Sequence, residues 1–196
     1  MIFVDGEEVP EREDLSLYSK RIVTFSSVSP ALKLLRLSLN QLTSFEGNFP
    51  NLECLDLFNN QLTSFEGDFP KLKWLRLIKN RLTSFEGNFP KLKHLWLDDN
   101  ELTSFEGNFP KLERLGLSRN QRLKTMGVSL ETTPNLSEIY LEDTNVKFVD
   151  PFIVHLVKYK KVSPRSHFLG LIALLEPFFP PHGNPVFEEV IEHIEE

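Results

Sequence analysis

Cys54 is the one cysteine of the 196-residue chain. A thiol beside a histidine would make a nucleophile and base. His94 falls in the same position of the repeat described below, but two repeats away, which is roughly 10 Å if the repeats stack as strands. That is beyond hydrogen-bond reach, so no catalytic residue is assigned. His155, His167, His182 and His193 lie near the C-terminus. Their spacing fits no zinc pattern and partner cysteines are missing, so no metal ligand is assigned. There is no G-x-S-x-G, P-loop or H-E-x-x-H motif. A row of acids, Glu46, Glu66, Glu86 and Glu106, recurs through the chain. One carboxylate per repeat is a poor calcium cage. Stacked about 5 Å apart, such acids repel by about 0.8 kcal/mol per pair in water. Lys71, Lys91 and Lys111 offset them in part. No cofactor is expected.

These residues are spaced by a 20-residue repeat. The pattern LxxLxLxxNxLTSFEGxFPK runs from Leu52 to Lys71 and restarts at Leu72, Leu92 and Leu112. It is already running at Leu32. A degenerate copy precedes it, with Leu15, Leu17, Ile22, Phe25 and Pro30 in place and Lys20 where asparagine belongs. The copy beginning at Leu112 breaks after Asn120, where QRLKTMGVSLETTPN is 4 residues longer than its equivalents. A last copy starts at Leu136, with Ile139, Leu141, Val146 and Val149 in place and Thr144 for asparagine. Repetition at this period means a stacked architecture with atypical ends. The organisation expected is an N-terminal cap segment over 1–14, about seven repeats over 15–150 and a C-terminal cap over 151–196.

The alternation in xLxLx predicts a short strand with leucines inward, and successive strands stack as a parallel sheet. Asn40, Asn60, Asn80, Asn100 and Asn120 follow the strands as a ladder. Each amide can donate and accept, tying backbone groups of its own and neighbouring turns. Leu62, Phe65 and Phe69 fill the wedge from the other side, and Gly67 and Pro70 punctuate the return. Few residues remain for that return, so extended or 3₁₀ turns are expected there. Leu52, Leu55, Leu57, Asn60, Leu62, Phe65, Phe69 and Pro70, with their counterparts, resemble the leucine-rich repeat family in its short form. The resemblance covers about two thirds of the chain. It implies an α/β repeat solenoid: a right-handed arc with a parallel concave sheet, a mostly non-helical convex side and a helical C-terminal cap. The near-identity of the copies reads as recent tandem expansion, of the kind seen in protists, some bacteria and large DNA viruses.

The net charge of −6 argues against general nucleic-acid binding. A single cysteine excludes an internal disulfide framework. Met1 to Pro10 has acids where a signal peptide needs bases and an apolar run. An intracellular, cytoplasmic setting is therefore expected, without secretion. In the tail, Pro151 to Lys161 reads as a short amphipathic helix. Ser163-Pro164 opens a second apolar stretch, and Val186 to Glu196 has apolar residues at helical spacing. The run from Phe168 to Phe179 is too short for a membrane span.

Recognition is the remaining chemistry. LTSFEG is unchanged at 42–47, 62–67, 82–87 and 102–107, whereas the outward strand positions change at every copy. One row reads Leu34, Cys54, Trp74, His94, Arg114, Glu138. The next reads Arg36, Asp56, Arg76, Trp96, Gly116, Tyr140. The third reads Ser38, Phe58, Ile78, Asp98, Ser118, Glu142. Phe58, Trp74, Ile78, Trp96 and Tyr140, flanked by Arg36, Arg76, His94, Asp98 and Arg119, combine aromatics with arginine as interface hot spots do. The family resemblance implies a non-enzymatic protein-binding module whose partner meets this face. The alternative is a structural component of a larger assembly, anchored through its tail or convex side.

Overall fold

The structure is a computed structural model that describes residues 2–146 and the strand Val157–Lys158. Its spine is an eight-stranded sheet built from Asp14–Ser16, Leu34–Arg36, Cys54–Asp56, Trp74–Arg76, His94–Trp96, Arg114–Gly116, Glu138–Tyr140 and Val157–Lys158, in that spatial order. Every neighbouring pair is parallel. In one register Leu34, Cys54, Trp74, His94, Arg114 and Glu138 lie side by side. Alternation then sends Leu35, Leu55, Leu75, Leu95, Leu115 and Ile139 inward, where each is fully buried.

The chain turns sharply after each strand. The residue before each ladder asparagine takes a left-handed conformation: φ is 58° at Leu39, 55° at Asn59, 58° at Lys79, 55° at Asp99 and 60° at Arg119. Glycine is the usual occupant of such a position, and none stands here, so the pattern gave no sign of it. The turn aims the next side chain inward. Asn80 Nδ2 donates to Leu57 O at 3.1 Å and Leu77 O at 3.0 Å, and its Oδ1 accepts from Leu62 N–H at 3.1 Å. Asn60, Asn100 and Asn120 repeat that set one turn along. Each amide thus satisfies backbone groups of two turns, away from water.

The return side is extended. Ser44–Phe45 pairs with Ser64–Phe65, and Ser84–Phe85, Ser104–Phe105 and Thr125–Met126 form a second small sheet. Two phenylalanine columns fill it: Phe25, Phe45, Phe65, Phe85 and Phe105, and beside them Phe49, Phe69, Phe89 and Phe109. The Phe69 ring stacks on four others, with ring centroids 5.2 Å away at Phe65 and 5.5 Å at Phe49. Gly67 is required by this packing. Its φ is 146°, and a Cβ there would run into Gly47 O and the Phe69 ring. The columns end where the longer repeat puts Met126 opposite Phe105.

At the N-terminus Ile2–Val4 and Glu7–Val9 form an antiparallel hairpin that adds to Phe25–Val28. Ile2 is fully buried and extends the core. Among the described residues there is no helix. The α part of the expected α/β fold rested on the tail. That cap, 151–196, lies outside the described residues except for Val157–Lys158, as do Val149 and the tail histidines. At Val157–Lys158 a strand stands where the amphipathic helix over Pro151 to Lys161 was expected; the rest of that stretch lies outside the described residues. Val157 pairs with Ile139 and Lys158 with Tyr140, continuing the sheet. The open edge of Glu138–Tyr140 offers unpaired backbone groups, and pairing with an extended segment satisfies them.

Candidate functional site

Trp74 stands between Cys54 and His94 in the register, so the thiol and the imidazole are separated by a whole strand. Burial pushes the Cys54 thiol above its ordinary range, which disfavours the reactive thiolate. Burial pushes the His94 imidazole down, keeping it neutral at pH 7. Among the described residues no three metal-ligating side chains come together, and no helix is long and apolar enough to cross a membrane.

The outward faces of the seven strands from Asp14–Ser16 to Glu138–Tyr140 form one surface, and two groups of side chains stand out on it. In the first, Arg76 Nη1 lies 3.6 Å from Asp56 Oδ2. The Arg76 guanidinium also sits 4.3 Å above the centre of the Phe58 ring, and Lys79 Nζ lies 5.7 Å from it. Asp56 Oδ1 accepts from Phe58 N–H at 3.0 Å. Phe58 is therefore covered by the chain's own cations. Ile78 is half-buried beside it, and Arg36 is exposed at the far end of the same row.

The second group centres on a missing side chain. Gly116 lies in the register between Trp96 and Tyr140. Across it the two rings approach to 5.7 Å between centroids, tilted by 42°. A Cβ on Gly116 would come within 2.5 Å of Trp96 Cε3 and would overlap Asp98 Oδ2. Asp98 Oδ1 accepts from Ser118 N–H at 3.0 Å. Burial nevertheless pushes the Asp98 carboxyl above the usual carboxylate range. The Tyr140 hydroxyl donates to Glu138 Oε2 at 2.9 Å, and Arg114 Nε lies 3.2 Å from the same oxygen. Burial, first, and that bond, second, push the Tyr140 phenol up. Arg119 pairs with Asp99 at 3.1 Å.

The expected residues therefore share one face but not one cluster. Trp74 faces His94 in the register while Trp96 faces Arg76. Arg76 turns to Phe58 and Trp96 to Tyr140. Sequence reading missed Gly116, although the row Trp96, Gly116, Tyr140 carried the signal: a vacancy between two large rings. It also missed a groove of about 440 Å³ lined by Lys73, Lys91, Lys93, Lys111, Glu113 and Asn135. Glu46, Glu66, Glu86 and Glu106 are exposed on the return side.

A family model for leucine-rich repeats, in two copies, matches residues 30–68. No curated protein matches the chain. The matched segment holds two of the 20-residue copies, and the strand register they set runs unbroken to Tyr140. Residues 30–68 are thus leucine-rich repeats, and the later copies continue their pattern in the same register.

Proposed function

We propose that the protein is a non-enzymatic binding module whose protein partner docks on the outward strand face. Leucine-rich repeats generally mediate protein–protein interaction. The observation that carries the choice of face is the contrast between copies: LTSFEG is identical four times, while Cys54, Trp74, His94 and Arg114 occupy one register position. Half-buried Trp74, Ile78, Trp96 and Tyr140 give that face rigid aromatic and apolar area at low entropic cost. A single free thiol suits a reducing compartment inside the cell.

The test is site-specific photocrosslinking in the native lysate. A photoreactive side chain at Ile78, on the strand face, is expected to give one discrete adduct. The same group at Glu86, on the return side, is expected to give none. The reverse pattern would move the site to the return side and favour the structural alternative.

A further inference from the structure

The two halves of the strand face treat their aromatic rings differently. Phe58 already carries Arg76 at 4.3 Å and Lys79 at 5.7 Å. Among the described residues these are the cations over aromatic rings, and both lie on Phe58. Trp96 and Tyr140 have carboxylates for neighbours instead. Asp98 Oδ2 shares with Trp96 the space above Gly116, and Glu138 holds the Tyr140 hydroxyl.

The charge around this ring pair is unbalanced. From His94 to Asp143 the strand face and its turns carry Asp98, Asp99, Glu138, Glu142 and Asp143 against Arg114 and Arg119. Both arginines are already engaged, with Glu138 at 3.2 Å and Asp99 at 3.1 Å. The indole face is itself electronegative and attracts a cation. A planar guanidinium fits this setting best, because it can stack on the ring while its N–H edge meets a carboxylate. Phe58, Arg76 and Asp56 show the same three-part arrangement completed within the chain.

We propose that Trp96, Tyr140 and Asp98, brought together over Gly116, receive an arginine side chain of the protein partner. This rests on the strand-face reading and names the chemistry the partner must bring. Gly116 is a positioning residue, since any side chain there would displace the Trp96 ring and the Asp98 carboxylate.

The test uses the full chain and three capped tripeptides: tri-arginine, tri-lysine and tri-glutamate. The indole N–H signals of Trp74 and Trp96 are followed by NMR, with Trp74 as an internal control. Tri-arginine is expected to shift Trp96 saturably at concentrations up to about 10 mM, at least about threefold more tightly than tri-lysine. Tri-glutamate is expected to leave Trp96 unmoved and to act, if anywhere, at the lysine groove. Asp98→Asn should weaken tri-arginine about fivefold or more, as expected on losing a charge-assisted bond. Tyr140→Leu should weaken it while leaving the melting temperature of the repeats nearly unchanged. If Tyr140→Leu unfolds the chain, Asp98→Asn alone carries the decision. An unmoved Trp96 overturns the proposal. So does equal movement of Trp74 and Trp96, or binding that survives Asp98→Asn. None of these results touches the strand-face reading, which stands or falls on the Ile78 and Glu86 crosslinks.

Discussion

The return side and the strand face are built from the same turns, yet one is copied and the other varied. On the return side Phe45, Phe65, Phe85, Phe69 and Phe89 each lie between rings of the turns before and after them. A change in one turn must then be accommodated by two neighbours, as in any stacked repeat. Gly67 is held by contact with Gly47 O, and Thr63 Oγ1 donates to Thr43 O at 3.3 Å. Much of LTSFEG is therefore held constant by packing. The exposed glutamates are not held in this way, and they are constant too. On the strand face the side chains stand out from the sheet, so they can change singly. The contrast in variation thus has a structural half, and the glutamate row is the part that packing leaves unexplained.

The sharpest way to break that comparison is to cut one residue from each side of a turn. Phe69→Ala should cost about 3–5 kcal/mol of unfolding free energy, the range for emptying a buried aromatic site. Trp74→Ala, on the strand face of the following turn, should cost less than about 1 kcal/mol. Urea unfolding measures both. Equal losses would mean that the strand face is as structural as the return side.

Between the two sides runs the asparagine ladder. Asn80→Ala should cost about 1–3 kcal/mol, because it leaves Leu57 O, Leu77 O and Leu62 N–H buried without their partner. Lys20→Ala, at the equivalent N-terminal position, should be neutral, since the Lys20 side chain is exposed. Matching urea midpoints for the two variants would show the ladder to be dispensable.

Those three effects were legible in the letters. The repeat located Leu55, Asn60 and Phe69 because stacking turns a 20-residue period directly into a register. The bonds of Asn60 and Asn80 follow from an amide placed at a turn between two strands. What the letters hid depends on pairs from different turns. That Arg76 would cover Phe58, and Trp96 meet Tyr140, is decided by rotamers across strands and not by either residue's own neighbours in sequence. The left-handed residue before each asparagine was hidden too, because Leu39, Lys79 and Arg119 occupy it in place of glycine. The strand at Val157–Lys158 was masked by apolar spacing that suits a helix equally well.

That left-handed position offers a smaller, opposite effect. At Lys79 φ is 58°, whereas Asn59, one turn earlier, takes 55° with a residue type that tolerates it. Lys79→Asn should stabilise the fold by about 0.5 kcal/mol, less than the roughly 1–3 kcal/mol such a conformation costs, because Lys79 also lies over Phe58. A higher thermal midpoint checks it. A lower one would mean that the Lys79 contact with Phe58 outweighs the strain, and that the first half of the strand face is held together by its cations.

Asp98 gives the last and smallest effect, and its sign separates the two sides most cleanly. Burial raises the Asp98 pKa in the folded chain, so the folded protein holds that proton more tightly than the unfolded one. The group's favourable contribution is complete below the ordinary carboxylate pKa. It is lost as pH rises through the higher folded value, leaving a cost at neutral pH. Asp98→Asn removes the titration and keeps an oxygen to accept from Ser118 N–H. The variant should therefore be more stable than the native chain at pH 7, by less than about 0.5 kcal/mol, and should lose that advantage as pH falls below the carboxylate range. Thermal midpoints of the two proteins from pH 3 to pH 7 measure the difference. A variant less stable at pH 7 would mean that the Ser118 bond outweighs burial and that Asp98 is there to hold the turn. A variant more stable at pH 7 that also loses the tri-arginine shift would show that the strand face carries a destabilising charge for recognition. The return side, packed ring on ring, turns its glutamates Glu46, Glu66, Glu86 and Glu106 out into water.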